Sequence, residues 1–345
     1  MTAILSRHHD VMAALHAPQQ FSNRVSKHLN VPNGMDGDEH RRYRSLIEPF
    51  FTAPQLAAFQ PRLRFLVEQL ITTINPNQPI EIMDTIAHPF AVQAQCAFMG
   101  WPAAMTRKLT QWMQAQNQAT RVHDRRRLNE LAQEFTDLVV EQLAIAREQH
   151  YGQPTVTRQL TLLRIDQQPL PDEYLVSMIR NWTVGELGTI AAAVGSIIAF
   201  LATHPLIQAQ LRQQPQQLDA AIQEILRLDA PLLGNRRRTT CPVHIANQQL
   251  PAESTVHLDW QAANTDIEAF EQPYTFDLTR DQSLNLLYGA GPHVCPGKPL
   301  AQLELGEITR VILEQFSHFQ LVEKTPIRAQ SPRGGYQSVW VQFNH

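Results

Sequence analysis

The run Tyr288-Gly289-Ala290-Gly291-Pro292-His293-Val294-Cys295-Pro296-Gly297 constrains this chain more than any other stretch, because a helical pattern from Leu300 to Phe316 follows at once. Gly289 and Gly291 let the backbone turn tightly and approach a flat ligand closely, and Pro296 stands where a helix can begin without needing its N–H. Cys295 is thereby placed at a helix N-terminus. Unpaired N–H groups and the positive end of the helix dipole there favour a thiolate, the form that binds a metal. A single cysteine held in this way suits an axial ligand to haem iron. A phosphate-binding glycine loop is the rival reading, but Val294 stands where its third glycine would be and the cysteine would have no part to play. A structural cysteine buried after a glycine turn is the bland alternative.

The same ten residues resemble the haem loop of the cytochromes P-450, Phe-Gly-x-Gly-x-His-x-Cys-x-Gly, with Tyr288 in place of the phenylalanine. The resemblance extends from Ile4 onward. It implies a mainly α fold with a small β-region, in which haem b lies between a long central helix and the cysteine-loop helix and Cys295 is the axial thiolate. Gly289, Gly291 and Gly297 then line the cofactor.

Length and composition agree with such a protein. A chain of 345 residues with 43% hydrophobic side chains can bury a core large enough to enclose a cofactor. Its formal net charge of -3 gives no polyanion-binding signature, so nucleic acid is not an expected partner. Three widely spaced cysteines, Cys96, Cys241 and Cys295, argue against a disulfide framework and for a reducing cytoplasm. The opening ten residues hold no apolar run of signal-peptide length. No segment reads as long and apolar enough to span a bilayer, so no membrane anchor is expected.

Ile4 to Asn23 reads as a short strand and an amphipathic helix, which implies that the family's opening helix and first strands are lacking. Residues 1–345 form one expected domain, with no repeat or linker to carry a fused reductase. Ser22 to Asp38 is polar and turn-rich. Asp38 is a plausible N-cap for a helix on which His40 and Arg44, four apart, share a face. By resemblance that pair binds a haem propionate. Arg41 and Arg42, with Lys298, form a candidate basic patch on the cysteine side. From Gln55 to Gln149 the pattern is almost wholly helical, and Arg125-Arg126-Arg127 opens one helix. Phe98, Trp112 and Met113 are core or substrate contacts.

Pro171-Asp172-Glu173 begins the longest helix, which runs to about Thr203 and is apolar nearly all round from Ile190 to Leu201, as befits the centre of a large fold. It resembles the family's helix over the haem, whose signature is Ala/Gly-Gly-x-Asp/Glu-Thr-Thr/Ser. Here the aligned residues are Val184-Gly185-Glu186-Leu187-Gly188-Thr189, so Gly185 and Thr189 match while Leu187 and Gly188 cannot carry a proton. Glu186 and Thr189, three apart, supply those groups in a shifted register as the first expectation. An ordered water or substrate hydroxyl, or peroxide as the oxidant, are the others.

Glu224 and Arg227 match a buried Glu-x-x-Arg pair, with Arg280 as a brace. Arg238 and His293 are the remaining propionate contacts implied by the resemblance. Phe319 to Val322 and Val339 to Phe343 read as strands around a Gly334-Gly335 turn. The function implied is a monooxygenase that inserts one oxygen atom from dioxygen into a hydrophobic small molecule. Electrons come from a ferredoxin or flavodoxin-like donor with its reductase. A peroxide-driven or non-oxygen-activating enzyme, or a non-catalytic haem-binding relative, are the alternatives.

Overall fold

The computed structural model describes residues 1–148, 154–322, 326–330 and 333–344. The helical end expected at Gln149 lies outside them. The helices are α1 (His8–His16), α2 (Gly37–Ile47), α3 (Ala53–Ile71), α4 (His88–Met99), α5 (Ala103–Arg121), α6 (Arg125–Glu148), α7 (Val156–Thr161), α8 (Asp172–Thr203), α9 (Pro205–Gln213), α10 (Leu218–Leu228), α11 (Trp260–Asn264) and α12 (Lys298–Gln315). The strands are β1 (Thr2–Leu5), β2 (Phe21–Ser22), β3 (Pro79–Glu81), β4 (Arg164–Ile165), β5 (Gln168–Pro169), β6 (Gly234–Thr239), β7 (Val243–Ile245), β8 (Gln248–Leu250), β9 (Thr255–Asp259), β10 (His318–Leu321), β11 (Ile327–Arg328), β12 (Tyr336–Ser338) and β13 (Trp340–Asn344).

The fold is built on α8. Leu175, Ile179, Ile190, Val194, Ile197 and Leu201 on it are all buried, and α4, α6, α10, α12 and β10 pack around it. The helix ends at His204 because Pro205 opens α9 instead of continuing the ladder. By length and composition α8 could cross a membrane, contrary to the expectation that no segment could. Gly, Ser and Thr break the visual run of apolar residues without making it polar. Two thirds of the apolar window, 67%, is buried inside the protein, which makes α8 a core helix.

A second, smaller core lies under the sheet β1-β9-β6-β2, where Leu5, Val11, Leu15, Phe21, Leu250 and Leu258 meet. β1 runs parallel to β9, pairing Thr2 with Thr255 and Leu5 with Leu258, and β6 is antiparallel to β9 and β2. Along β6 the side chains alternate, so Arg237 and Thr239 face inward while Arg236 and Arg238 face out. A second sheet, β10-β13-β3, closes the C-terminal end.

Two helix starts differ from expectation. α2 is preceded by Asp36, not Asp38, as its N-cap residue, and α12 begins at Lys298 behind Gly297 rather than at Leu300.

Candidate active site

The cysteine loop is pinned from both sides. Gly291 has φ +68°, and a Cβ there would lie 2.5 Å from the Leu15 carbonyl oxygen on α1, so only glycine fits. The Cys295 N–H donates to the Tyr288 carbonyl at 2.9 Å, which closes the loop just before α12. Gly289 also takes a left-handed φ, and Gly297 lies against Cys295 Sγ and Phe51.

Cys295 is exposed to a cleft, yet the surrounding protein is dry. Burial therefore pushes the Cys295 thiol up, against the N–H of Gly297, the charge of Arg44 and the N–H of Lys298. The helix terminus favours a thiolate as expected, but burial outweighs it. A bound metal cation reverses that balance. Cys96, buried on α4 with its thiol pushed to about 11 by burial, has no such loop around it.

Cations and donors gather at one edge of the cleft. His40 is buried, and its ring centroid lies 3.9 Å from that of His293. Burial, then the charges of His293 and Arg44, push His40 down to about 4, so it is a neutral imidazole at pH 7. His293 Nε2 is 3.5 Å from Asp36 Oδ1, a charge contact that leaves this buried nitrogen without a proper hydrogen bond. Asp36 itself stays below the usual carboxylate range. Burial pushes it up, and His293, the Ser22 hydroxyl and the Asn23 N–H outweigh burial. Arg44 Nε donates to Glu48 at 2.9 Å.

Arg238 does not join this edge. It is 49% exposed and pairs with Glu253, because the strand period turns it away from the interior. Its neighbour Arg237 is the buried one. Arg237 donates to the Arg236 carbonyl at 2.9 Å, meets no carboxylate at ion-pair distance among the described residues, and is pushed down to about 10 by burial against the distant charge of Asp36. The candidate basic patch is also dispersed: Arg41 pairs with Asp38, Arg42 with Asp166, and Lys298 Nζ sits 5.6 Å over the Tyr288 ring.

Across the cleft, α8 shows a cleared face. A Cβ on Gly185 or Gly188 would meet nothing within 4 Å, whereas Leu187 is buried. Thr189 Oγ1 donates to the Gly185 carbonyl at 2.8 Å, so it is turned back on its own helix and does not pair with Glu186. Glu186 meets different partners. With the Gln95 amide nitrogen facing α8, it lies 2.7 Å from Glu186 Oε2 while the amide oxygen accepts from Thr183 Oγ1 at 2.8 Å. Glu186 also contacts Glu304 of α12. Burial pushes Glu186 up to about 8, with the Glu304 contact opposing, and burial plus the Glu186 charge hold Glu304 well above the usual range. Two such carboxyls cannot both ionise, so at pH 7 they keep at least one proton between them.

Sequence reasoning missed Glu304, Gln95 and Arg237. Glu304 between Leu303 and Leu305, on a helix whose other acid Glu307 is followed three residues later by Arg310, was a signal for Glu304, and strand alternation was one for Arg237. Phe98, Trp112 and Met113 are core residues, Trp112 donating to the Leu131 carbonyl at 2.8 Å. The expected brace is present: Glu224 binds Arg227 Nε and Arg280 Nε, each at 2.8 Å.

A flat, dianionic, metal-bearing macrocycle suits these walls. Cys295 provides one thiol, Arg237 provides a buried guanidinium that meets no carboxylate at ion-pair distance among the described residues, His293 provides a buried ring nitrogen without a hydrogen bond, and the glycines of α8 provide clearance. The family description "Cytochrome P450" matches residues 1–338. Cyclomarin C epoxidase CymV of Salinispora arenicola is 26% identical over 99% of this chain and 90% of its own length. 6-Deoxyerythronolide B hydroxylase of Saccharopolyspora erythraea is 28% identical over 90% of this chain and 75% of its own. The solved structure of open cytochrome P450 Eryk from S. erythraea superposes with a TM-score of 0.90 at 23% identity, covering 99% of this chain and 90% of that one. The chain therefore belongs to the cytochrome P450 family, as a haem-binding monooxygenase with an axial cysteine thiolate.

Proposed function

We propose that residues 1–345 act as one domain in which Cys295 is the axial ligand, while Arg237, His293, His40 and Arg44 hold the haem propionates. The observation that carries this reading is the Cys295 loop facing the glycine-cleared face of α8. Haem bound there supplies the reductive activation of dioxygen. The chain's own residues exclude water, place a hydrophobic substrate beside Gly185 and Gly188, and move protons.

The proton route runs through Glu186, not through Leu187 or Gly188. Glu186 releases its proton toward the cleft and regains one from Glu304, while Gln95, held by Thr183, keeps the carboxyl aimed. Thr189 is spent on the Gly185 carbonyl and serves the helix. Electrons come from a separate ferredoxin or flavodoxin-like donor with its reductase.

The absorption spectrum of the reduced holoprotein under carbon monoxide tests the ligand. A strongly red-shifted band that Cys295→His abolishes is expected, and a band typical of neutral histidine in the unaltered protein would refute Cys295. In the same preparations Arg237→Ala lowers haem retention and Arg238→Ala does not.

A further inference from the structure

Arg333, like Arg237, is a desolvated arginine that meets no carboxylate at ion-pair distance among the described residues, and the proposed function leaves it unused. Its backbone bridges Leu232, just ahead of β6, and the Gly334 N–H donates to the Pro231 carbonyl at 3.2 Å, so the turn is tied to the strand that carries Arg237. The next residue, Gly335, rests on α8, where a Cβ would meet the Ala192 carbonyl at 3.0 Å and Ser196 Oγ at 3.2 Å. From this anchor the Arg333 side chain reaches α5 and donates to Asn117 Oδ1. Arg121, one turn further along α5, adds a second positive charge.

Burial and then Arg121 push the Arg333 guanidinium below its ordinary value. Among the described residues neither arginine has a carboxylate at ion-pair distance. Asp84 feels the charge of Arg121, but it is largely exposed and is engaged with His88 at 3.4 Å. Arg333 is desolvated and donates only to an amide oxygen, while Arg121 lies exposed beside it, close enough for its charge to act on Arg333. An uncompensated charge of this kind is costly, and a guanidinium fork matches a carboxylate better than any neutral group.

We propose that Arg333, Arg121 and Asn117 form a subsite for a carboxylate on the substrate. The molecule oxidised here is then an amphipathic acid, its charge held where α5, α8 and the start of β6 meet and its apolar part along Gly185 and Gly188. Leu232 and Arg237 are about 17 Å apart at strand rise, so the two anion sites are separate. This inference rests on the reading of the cleft as a substrate-oxidising haem site.

Matched acid and neutral ligands test it: dodecanoic acid against dodecanol, 4-butylbenzoic acid against its amide, and indole-3-butyric acid against its amide. Each is titrated into the holoprotein by haem absorption and by calorimetry. At least one acid binds roughly tenfold or more tightly than its neutral mate, an advantage that weakens with salt and disappears in Arg333→Met while the neutral ligand binds as before. An acid preference absent from every pair, or intact in R333M, overturns the proposal.

A second readout needs no ligand. R333M removes an uncompensated buried cation, so the ligand-free holoprotein melts at a higher temperature than the unaltered one. A lower melting temperature would make Arg333 a structural residue and overturn the subsite. Haem content and the carbon monoxide band are recorded on the same samples. Their absence in the unaltered protein would strike the haem site, whereas calorimetry would still report the acid preference.

Discussion

Glu224 on α10 and Glu186 on α8 are the same residue type, burial raises both, and they nevertheless shift in opposite directions. Glu224 accepts from Arg227 at 2.8 and 2.9 Å, from Arg280 at 2.8 Å and from Gln282 at 3.2 Å. Burial raises it, and these partners outweigh burial and hold it below the usual carboxylate range. Glu186 has a carboxyl and an amide for company, and burial prevails. Cationic partners, which Glu224 has in Arg227 and Arg280, separate a fixed brace from a carboxyl that can give up a proton. Arg227 carries the brace outward to the Asn264 and Pro273 carbonyls at 2.6 and 2.8 Å, tying α10 to the segment that leads into the cysteine loop.

The largest effect should come from breaking the ionised pair. Arg227→Ala leaves Glu224 with Arg280 and Gln282 alone, strips the Asn264 and Pro273 carbonyls of their donor and removes roughly 3–5 kcal/mol, seen as a collapse in folded, haem-containing protein and in urea midpoint. Glu304→Leu should do no such damage, because it removes a group that burial disfavours. If E304L unfolded the chain as R227A does, the contrast between the two sites would fail.

Next comes turnover. Glu186→Gln keeps the shape and the Gln95 contact but carries no transferable proton. Product formed per reductant consumed should fall by about tenfold or more, with Thr189→Ala falling far less. Equal losses would restore the shifted-register pair.

The pH dependence of stability is smaller but diagnostic. The folded chain keeps a proton on Glu186 up to about pH 8, whereas the unfolded chain releases it near the ordinary value of 4.5. The folded state therefore binds more protons in that window, and its stability declines as pH rises from about 4.5 toward 8. The slope is at most about 1.4 kcal/mol per pH unit for one group. Glu224 has the opposite sign, losing its contribution only as the medium becomes acidic. Urea unfolding across this range should show the decline, and Glu186→Gln combined with Glu304→Gln should flatten it. Smallest of all, Gln282→Ala removes one contact of the brace and costs about 1 kcal/mol, measured by the same urea midpoint.

Much of this site is readable from residue types at fixed spacings. The glycines of the cysteine loop, His40 and Arg44 four apart, and Glu224 and Arg227 three apart all lie within one element or one turn, where helix or turn geometry dictates which side chains meet. Arg238 and Thr189 show the limit. Arg238 lies one position from the buried arginine of β6, and Thr189 is bonded to a carbonyl instead of to Glu186. Arg237, not Arg238, faces inward because β6 alternates in a register set by β9. Thr189 is occupied by a carbonyl that only the folded helix presents.

The sequence by itself determined that the chain carries a cysteine ligand loop, a long apolar central helix with glycines midway, and a Glu-x-x-Arg brace. These follow from local rules: glycine for φ > 0, a 3.6-residue period, a thiol near a helix start. Only the tertiary structure decided that Glu186 and Glu304 are buried together, that the Gln95 amide rather than Thr189 meets Glu186, and that Arg333 meets no acid at ion-pair distance among the described residues. Those facts join residues 118, 91 and more than 200 positions apart. They depend on burial and on which charges packing brings together, and neither quantity exists until the chain has folded.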